Sequence, residues 1–163
     1  MKHPAYSQLR PVTPNAAVVL APNPSYAALE GTNSWVIRGK GDARSIVVDP
    51  GPEDEGHLNV LQSKAGDVAL ILLTHRHHDH ADGAERFRQL TGAPIRAFDK
   101  QYCAGAEPLA DGEVIAVAGV TQRAAISVLA LDTLVINAIA LIVVVGLWYR
   151  STMYFEAALL FAM

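Results

Sequence analysis

The chain has 163 residues, a formal net charge of −3 at pH 7 and a sequence pI of about 6.0. This charge balance, without any run of basic residues, excludes nucleic-acid binding through a general positive surface. The single cysteine, Cys103, excludes an internal disulfide and fits a reducing compartment.

Short apolar runs separated by turn residues predict β-strands that alternate with helices through the first 120 residues. The predicted strands, in chain order, are residues 44–48, 68–73, 94–98 and 114–120. The run at 68–73, Val-Ala-Leu-Ile-Leu-Leu, is typical of a strand that is buried on both faces of a sheet. Residues 81–90 predict a short helix that ends at Thr91-Gly92. This alternation indicates an α/β fold.

Residues 74–80, Thr-His-Arg-His-His-Asp-His, contain four of the six histidines in the protein. His75 and His77 are two residues apart, so in extended backbone their imidazoles point the same way. Asp79 and His80 follow on a turn and can converge on the same space. Imidazole nitrogens and a carboxylate oxygen are ligands of a hydrolytic zinc site, which keeps an open position for water. We therefore predict a metal site; the alternative is a polar turn that binds nothing.

Other polar residues have less specific interpretations. We expect His78 to point into solvent and His57 to be exposed at the start of a helix. Arg76 is either a surface charge or a contact for an anionic substrate. Asp49, which precedes Pro50-Gly51, is either a turn residue or a support for the metal site.

The pattern His-x-His-x-Asp-His at residues 75–80 resembles the signature motif of the metallo-β-lactamase superfamily of metallohydrolases, in particular the branch of β-lactamase-like protein 2. Asn23-Pro24 and residues 29–35 (Leu-Glu-Gly-Thr-Asn-Ser-Trp) resemble the first hairpin of that branch. Residues 46–51 (Ile-Val-Val-Asp-Pro-Gly) resemble its strand and Asp-x-Gly turn. The resemblance implies the amino-terminal half of an αββα sandwich, which we assign to residues 1–122.

The resemblance also implies a ligand set and a chemistry. The first two histidines of the motif, here His75 and His77, bind one zinc ion in that family, and Asp79 and His80 match ligands of a second. The metal pair makes hydroxide available from a bridging water near neutral pH, and Asp79 handles the proton during attack. Asp49 matches an aspartate that supports the site. The implied substrate is a small molecule or RNA with an ester, thioester, lactam or phosphodiester bond.

The sequence after the motif lacks the later ligands that the resemblance requires, because no histidine follows His80. The family takes a third histidine for the first metal, and a bridging aspartate and a last histidine for the second, from later segments. We therefore expect an incomplete domain and an incomplete metal site. Half of the sandwich leaves an apolar sheet face uncovered, and we expect self-association through that face.

The composition changes near residue 120, since only three charged side chains follow Arg123 in the last forty residues. Residues 128–149 form an apolar stretch long enough to cross a bilayer as a helix, and residues 153–163 begin a second. A buried core helix is the alternative. We predict that residues 123–163 form a membrane segment with one transmembrane helix and a truncated second. The amino-terminal domain is then membrane-anchored on the cytoplasmic side, or simply cytoplasmic if this segment is an artefact.

The apolar segment has a resemblance of its own. Residues 126–163, and most specifically 128–141 and 154–160, resemble the F subunit of Mrp-type multisubunit cation/proton antiporters. The resemblance makes Asp132 an intramembrane carboxylate; a position at the headgroups is the alternative. It implies a second candidate function, as a fragment of a membrane component of such an antiporter. We explain two unrelated resemblances in one chain by a join near residues 120–126.

Overall fold

The computed structural model describes residues 3–26 and 28–124. The strands in chain order are β1 (Leu9–Thr13), β2 (Ala16–Leu20), β3 (Asn33–Ile37), β4 (Arg44–Val48), β5 (Asp67–Leu72), β6 (Ile95–Arg96), β7 (Val114–Val117) and β8 (Val120–Arg123). The helices are α1 (Glu55–Ala65), α2 (His78–Ala81) and α3 (Ala84–Thr91), and a 3-10 turn covers Lys100–Tyr102.

Six strands form one mixed sheet in the order β1-β2-β3-β4-β5-β6. The pairs from β1 to β4 are antiparallel, whereas β4 and β6 both run parallel to β5. Helix α1 connects β4 to β5, as a parallel crossover requires. The carboxyl ends of β4 and β5 therefore lie side by side at one edge of the sheet, and the chain leaves both strands there.

The two faces of the sheet carry separate apolar clusters. On the helical face, Leu58 and Leu61 of α1 and Phe87 of α3 pack against Val47 and Ile71. These five side chains are almost completely buried. Long apolar side chains at these helix positions anchor α1 and α3, since burial of one such side chain contributes about 1.5–3 kcal/mol.

The opposite face is buried as well, although we expected it to be uncovered. Trp35, Ile46 and Leu70 of the large sheet belong to one buried cluster with Ile115 and Ala118 of the β7–β8 hairpin. The expectation of self-association was based on exposure of this face. These side chains are buried and not exposed. Self-association itself stays a prediction.

The α/β alternation is confirmed, but two predicted elements are interrupted. The predicted strand 114–120 is the hairpin of β7 and β8, which turns at Ala118 and Gly119, both with positive φ. The predicted helix 81–90 is two helices that meet at Gly83. A Cβ atom at Gly83 would lie 2.7 Å from the Pro52 carbonyl oxygen, so a glycine permits the close approach of α3 to the loop after β4.

Helix α1 begins at Asp54, whose side chain accepts a hydrogen bond from the backbone N–H of His57 at 2.7 Å. The expectation that His57 is exposed was wrong, because its side chain is on the helix face that packs against the sheet, and the residue is only 4% exposed. Its Nε2 atom lies 2.9 Å from the buried Ser34 hydroxyl of β3. A histidine at a helix start is exposed only if that turn faces solvent, and this turn does not.

Replacement of His57 by glutamine is expected to reduce the loss of stability on mild acidification. Burial lowers the pKa of His57, and the Pro50 carbonyl and the charge of Asp54 offset this effect only in part. Below about pH 6.5 the unfolded chain therefore binds a proton that the folded protein does not, so the stabilisation present above that pH is lost as pH falls. Urea unfolding between about pH 7 and about pH 5 should show a smaller decrease in unfolding free energy for H57Q than for the wild type. An equal decrease would contradict this linkage.

The predicted membrane segment, the antiporter-like sequence and Asp132 all lie outside the described residues. Within residues 3–26 and 28–124, none of the helices is long and apolar enough to cross a membrane.

Candidate metal centre

The histidine motif lies in the loop after β5 and in the short helix α2, beside the loop after β4. The imidazole ring centroids of His75 and His77 are 4.6 Å apart, and those of His75 and His80 are 4.1 Å apart. An oxygen of Asp79 lies 3.4 Å from Nε2 of His80. The structure thus brings the four predicted ligands into one cluster at the sheet edge where β4 and β5 end.

Asp49 connects the two loops. It follows β4 directly, has a φ of 52° and is 1% exposed. Its Oδ1 accepts a hydrogen bond from the backbone N–H of Thr74 at 2.8 Å, and its Oδ2 accepts from the Thr74 hydroxyl at 2.5 Å. The same Oδ2 lies 2.9 Å from Nδ1 of His80. Asp49 is therefore both a turn residue and a support for the motif, so the two interpretations left open by the sequence hold together.

The hydrogen bonds assign the tautomer of His75. The Thr74 hydroxyl has one proton, and it goes to the Asp49 carboxylate, which can only accept. The Thr74 oxygen then accepts from Nδ1–H of His75, 2.8 Å away. The lone pair of His75 is consequently on Nε2, a buried atom without a hydrogen-bond partner among the described residues.

The environment of His75 Nε2 indicates whether the site fits a metal ion. A buried polar atom without a partner is costly and uncommon in folded proteins. Burial, followed by the neighbouring charge of His80, lowers the pKa of His75 to about 4. His75 is therefore neutral near pH 7, and its Nε2 lone pair is available to a cation. A metal ion would satisfy this atom, so the residues present fit a metal site.

His80 presents its second nitrogen to the same space. Because Nδ1 donates to Asp49, Nε2 is the atom that faces the Asp79 carboxylate. Burial disfavours the charged ring, but the hydrogen bond and charge of Asp49 and the charge of Asp79 outweigh it, and the pKa of His80 is raised. Two electron-rich atoms at 3.4 Å favour a positive charge between them, which a proton or a metal ion can supply.

The ligand atoms that converge most closely belong to Asp49, His75 and His80, and all lie within 4.8 Å of one another. Both oxygens of Asp49 already accept hydrogen bonds, so Asp49 is better suited to orient His80 than to bind a metal. His77 and Asp79 lie outside this tightest group. His77 is exposed at the start of α2, and the Asp79 side chain is 36% exposed. Their role as ligands stays a prediction.

The surroundings include residues to which the sequence assigned no role. Thr32 donates a hydrogen bond from its hydroxyl to Asp79 Oδ2 at 2.8 Å, and Asn23 in turn binds Thr32. The resemblance of residues 29–35 to the family was the only indication in the sequence that this segment matters, and it did not show which side chain reaches the site. His78 is exposed, as expected, and pairs with Asp82 at 3.0 Å.

A cleft of about 180 Å³ adjoins His75. Its walls include Arg76, Phe98 and Tyr102, so a cationic side chain and two aromatic rings lie beside the candidate metal centre. Arg76 is exposed, which agrees with a surface charge and leaves its contact with a substrate a prediction.

A mixed sheet with helices on one face, and a histidine-rich loop where β4 and β5 end, make this an α/β protein with a candidate metal centre. Residues 27–147 match the family described as the metallo-beta-lactamase superfamily, and the chain belongs to that superfamily. The match continues past residue 122, where we placed the domain boundary; the boundary stays a prediction.

Similar proteins include several hydrolases. A Beta-lactamase-like protein 2 homolog of Drosophila melanogaster is 40% identical over 87 residues, which cover 50% of this chain and 28% of that protein. A hydroxyacylglutathione hydrolase of Pseudomonas putida is 34% identical, covering 53% of this chain and 34% of the enzyme. An atrochrysone carboxyl ACP thioesterase of Aspergillus terreus is 29% identical, and the match covers 74% of this chain and 39% of that enzyme. The chain thus spans only about a third of the length of these relatives.

Solved structures agree on the fold. A metallo-beta-lactamase family protein from Thermus thermophilus superposes with a TM-score of 0.56 at 20% identity, over 69% of this chain and 52% of that one. A beta-lactamase domain protein from Burkholderia ambifaria superposes with a TM-score of 0.60 at 17% identity, over 74% of this chain and 50% of that one. The predicted α/β fold of the metallo-β-lactamase type is confirmed. The resemblance of residues 126–163 to an antiporter component has no support among these similarities.

Proposed function

We propose that this chain belongs to a zinc-dependent hydrolase that uses water to cleave a thioester or a related acyl bond. The observation that carries the proposal is the buried Nε2 of His75, which has no hydrogen-bond partner in the described part of the chain and belongs to a ring that lies against the His80 ring. The preference for a thioester is supported by the relatives, which include an ACP thioesterase. Bound zinc would lower the pKa of water and polarise the scissile carbonyl.

The residues of this chain have separate tasks in such a reaction. His75 and His80 would hold the metal ion with Nε2, and in both rings the other nitrogen is already engaged with Thr74 or Asp49. The Asp79 carboxylate is half-exposed beside them, so water and substrate can reach it. We assign to Asp79 the acceptance of a proton from the attacking water, because a carboxylate within reach of the reacting centre can act as a general base.

The test is a hydrolysis assay on the purified chain, after metal removal by chelation and after addition of zinc. A hydroxyacyl-glutathione thioester and an aryl phosphodiester distinguish acyl from phosphoryl chemistry. We expect zinc-dependent cleavage of the thioester. We also expect a loss of at least about 100-fold in His77→Ala, because His77 is predicted from the motif to be a further metal ligand, and removal of a ligand costs at least as much as removal of its supporting partner. His78→Ala, one residue away and solvent-exposed, is the matched control and should retain activity. A folded, zinc-loaded chain that cleaves neither substrate would disprove the proposal.

The remaining predictions about partners and location stay open. Attachment to a bilayer through residues 128–149 and a cytoplasmic amino-terminal domain are still predictions. An RNA phosphodiester is the alternative substrate class, which the second substrate of the assay addresses. We do not propose the antiporter function further, because no observation favours it.

A further inference from the structure

Within its own segment, the Asp79 carboxylate has one distant partner, Nε2 of His80 at 3.4 Å. Its helix α2 has only four residues and begins without a side-chain cap. The Asp79 side chain is 36% exposed, whereas Asp49 is almost completely buried with three hydrogen bonds. An exposed carboxylate on a short helix samples several rotamers unless a partner selects one of them. The partner that lies at ordinary hydrogen-bond distance from Asp79 comes from another part of the chain.

The partner is Thr32, 47 residues earlier in the sequence. Its hydroxyl donates to Asp79 Oδ2 at 2.8 Å, and the residue is only 1% exposed. A hydrogen bond to a charged acceptor is stronger than one between neutral groups. This contact joins the segment before β3 to the metal-binding motif.

The direction of the Thr32 hydroxyl is itself determined. Asn23 Nδ2 donates to Thr32 Oγ1 at 3.1 Å, and Asn23 Oδ1 accepts from the Thr32 backbone N–H at 2.9 Å. The Thr32 backbone carbonyl accepts from the N–H of Ala21 at 2.8 Å. Since the amide of Asn23 already donates to the hydroxyl oxygen, the hydroxyl proton is free to point at Asp79. Asn23 thus holds Thr32 through both its backbone and its side chain.

Close contact between backbones makes this arrangement possible. Gly31 has a φ of 142°, and a Cβ atom there would lie 1.9 Å from the Ala21 carbonyl oxygen and 3.2 Å from Asn23 Oδ1. Only glycine fits this conformation and this distance. The Gly31-Thr32 step therefore places the hydroxyl against the motif, and the residues that hold it there are distant from the histidines in the chain.

We propose that Thr32, held by Asn23, is a positioning residue that fixes the Asp79 carboxylate for metal binding and proton transfer. This inference rests on the proposed function, in which Asp79 accepts a proton, and on the prediction from the motif that Asp79 is also a metal ligand. The hydrogen bond occupies one lone pair of Oδ2 and selects one rotamer of Asp79. The Thr32 hydroxyl is engaged with Asp79 and Asn23, so in this proposal it acts through Asp79.

Metal affinity is the first test. Thr32→Val keeps the shape of the side chain and removes the hydroxyl, whereas Thr32→Ser keeps the hydroxyl. We expect T32V to weaken zinc binding by about 10–100-fold, as loss of a supporting partner does, and T32S to stay close to the wild type. Thr91→Val is the control, because it also removes a threonine hydroxyl that donates a hydrogen bond, here from a half-buried residue to the Phe87 carbonyl on α3. Zinc titration against a competing chelator measures all four proteins.

A double-mutant cycle in metal-free protein is the second test, and it does not depend on activity. Thr32→Val and Asp79→Ala should have non-additive effects on the urea midpoint, because the hydrogen bond between them is lost only once. In zinc-loaded protein, T32V should lower kcat much more than it changes KM. Zinc affinity of T32V equal to that of the wild type, or additive effects in the cycle, would overturn the proposal.

The two tests separate this inference from the proposed function. If the wild type binds no zinc or hydrolyses neither substrate, the proposed function fails, and the metal-free cycle still decides whether Thr32 fixes Asp79. If the wild type binds zinc and is active but T32V behaves like T91V, the positioning role fails and the function stands.

Discussion

Alanine in place of His75 is expected to weaken zinc binding by about 100-fold or more, because this variant removes the nitrogen whose lone pair lacks another partner among the described residues. The pKa of His75 is lowered to about 4, so the ring is neutral near pH 7 and the variant removes a ligand without changing the net charge. Competition with a chelating dye measures the affinity of both proteins.

The same variant should behave differently in the absence of metal. His75 Nε2 has no hydrogen-bond partner within the part of the chain that the structure describes, so its removal relieves an unsatisfied polar atom. We expect the metal-free variant to unfold close to the wild type, whereas zinc should raise the Tm of the wild type alone, since a ligand stabilises only the state it binds. His78→Ala again serves as control. Equal stabilisation of H75A by zinc would show that the metal binds elsewhere.

Alanine in place of Asp49 is expected to lower the free energy of unfolding by about 3 kcal/mol in metal-free protein, as loss of one partner of a buried charged pair does. The variant leaves the Thr74 backbone N–H, the Thr74 hydroxyl and His80 Nδ1 without their acceptor. The φ of 52° adds strain, because alanine disfavours the left-handed region more than aspartate does. Urea unfolding followed by circular dichroism measures the change.

Asp49→Asn provides the matched comparison. Asparagine tolerates the left-handed conformation and retains one carbonyl oxygen as an acceptor, so we expect a smaller loss of stability than in D49A. A decrease below about 1 kcal/mol for D49A would contradict the view that Asp49 connects the two loops, since that is the size of an ordinary neutral hydrogen bond.

Local spacing explains what could be predicted about the site. Two histidines separated by one residue lie on the same side of an extended segment, and the rings of His75 and His77 are 4.6 Å apart. The apolar run at 68–73 predicted a buried strand, and β5 covers Asp67–Leu72 with both neighbours in place. These inferences needed only interactions between residues close together in the chain.

Longer-range contacts explain what could not be predicted. The sequence indicated that His57 is at the start of a helix, but not which face of that helix packs against the sheet. His57 is on the packed face and is buried. The break at Gly83 depends on the approach of the Gly51–Pro52 backbone, about thirty residues earlier in the chain. Thr32 reaches Asp79 across 47 residues. Each of these contacts involves elements that only folding brings together.

The sequence by itself determined the family, the strand that carries the motif, and the four residues that we predict bind metal, because these depend on residue type and short spacing. Tertiary structure alone decided the tautomer of His75, the double role of Asp49 and the hydrogen bond from Thr32 to Asp79. Each of these depends on a hydrogen bond between separate segments, and the proton in such a bond goes to whichever acceptor the fold places beside it.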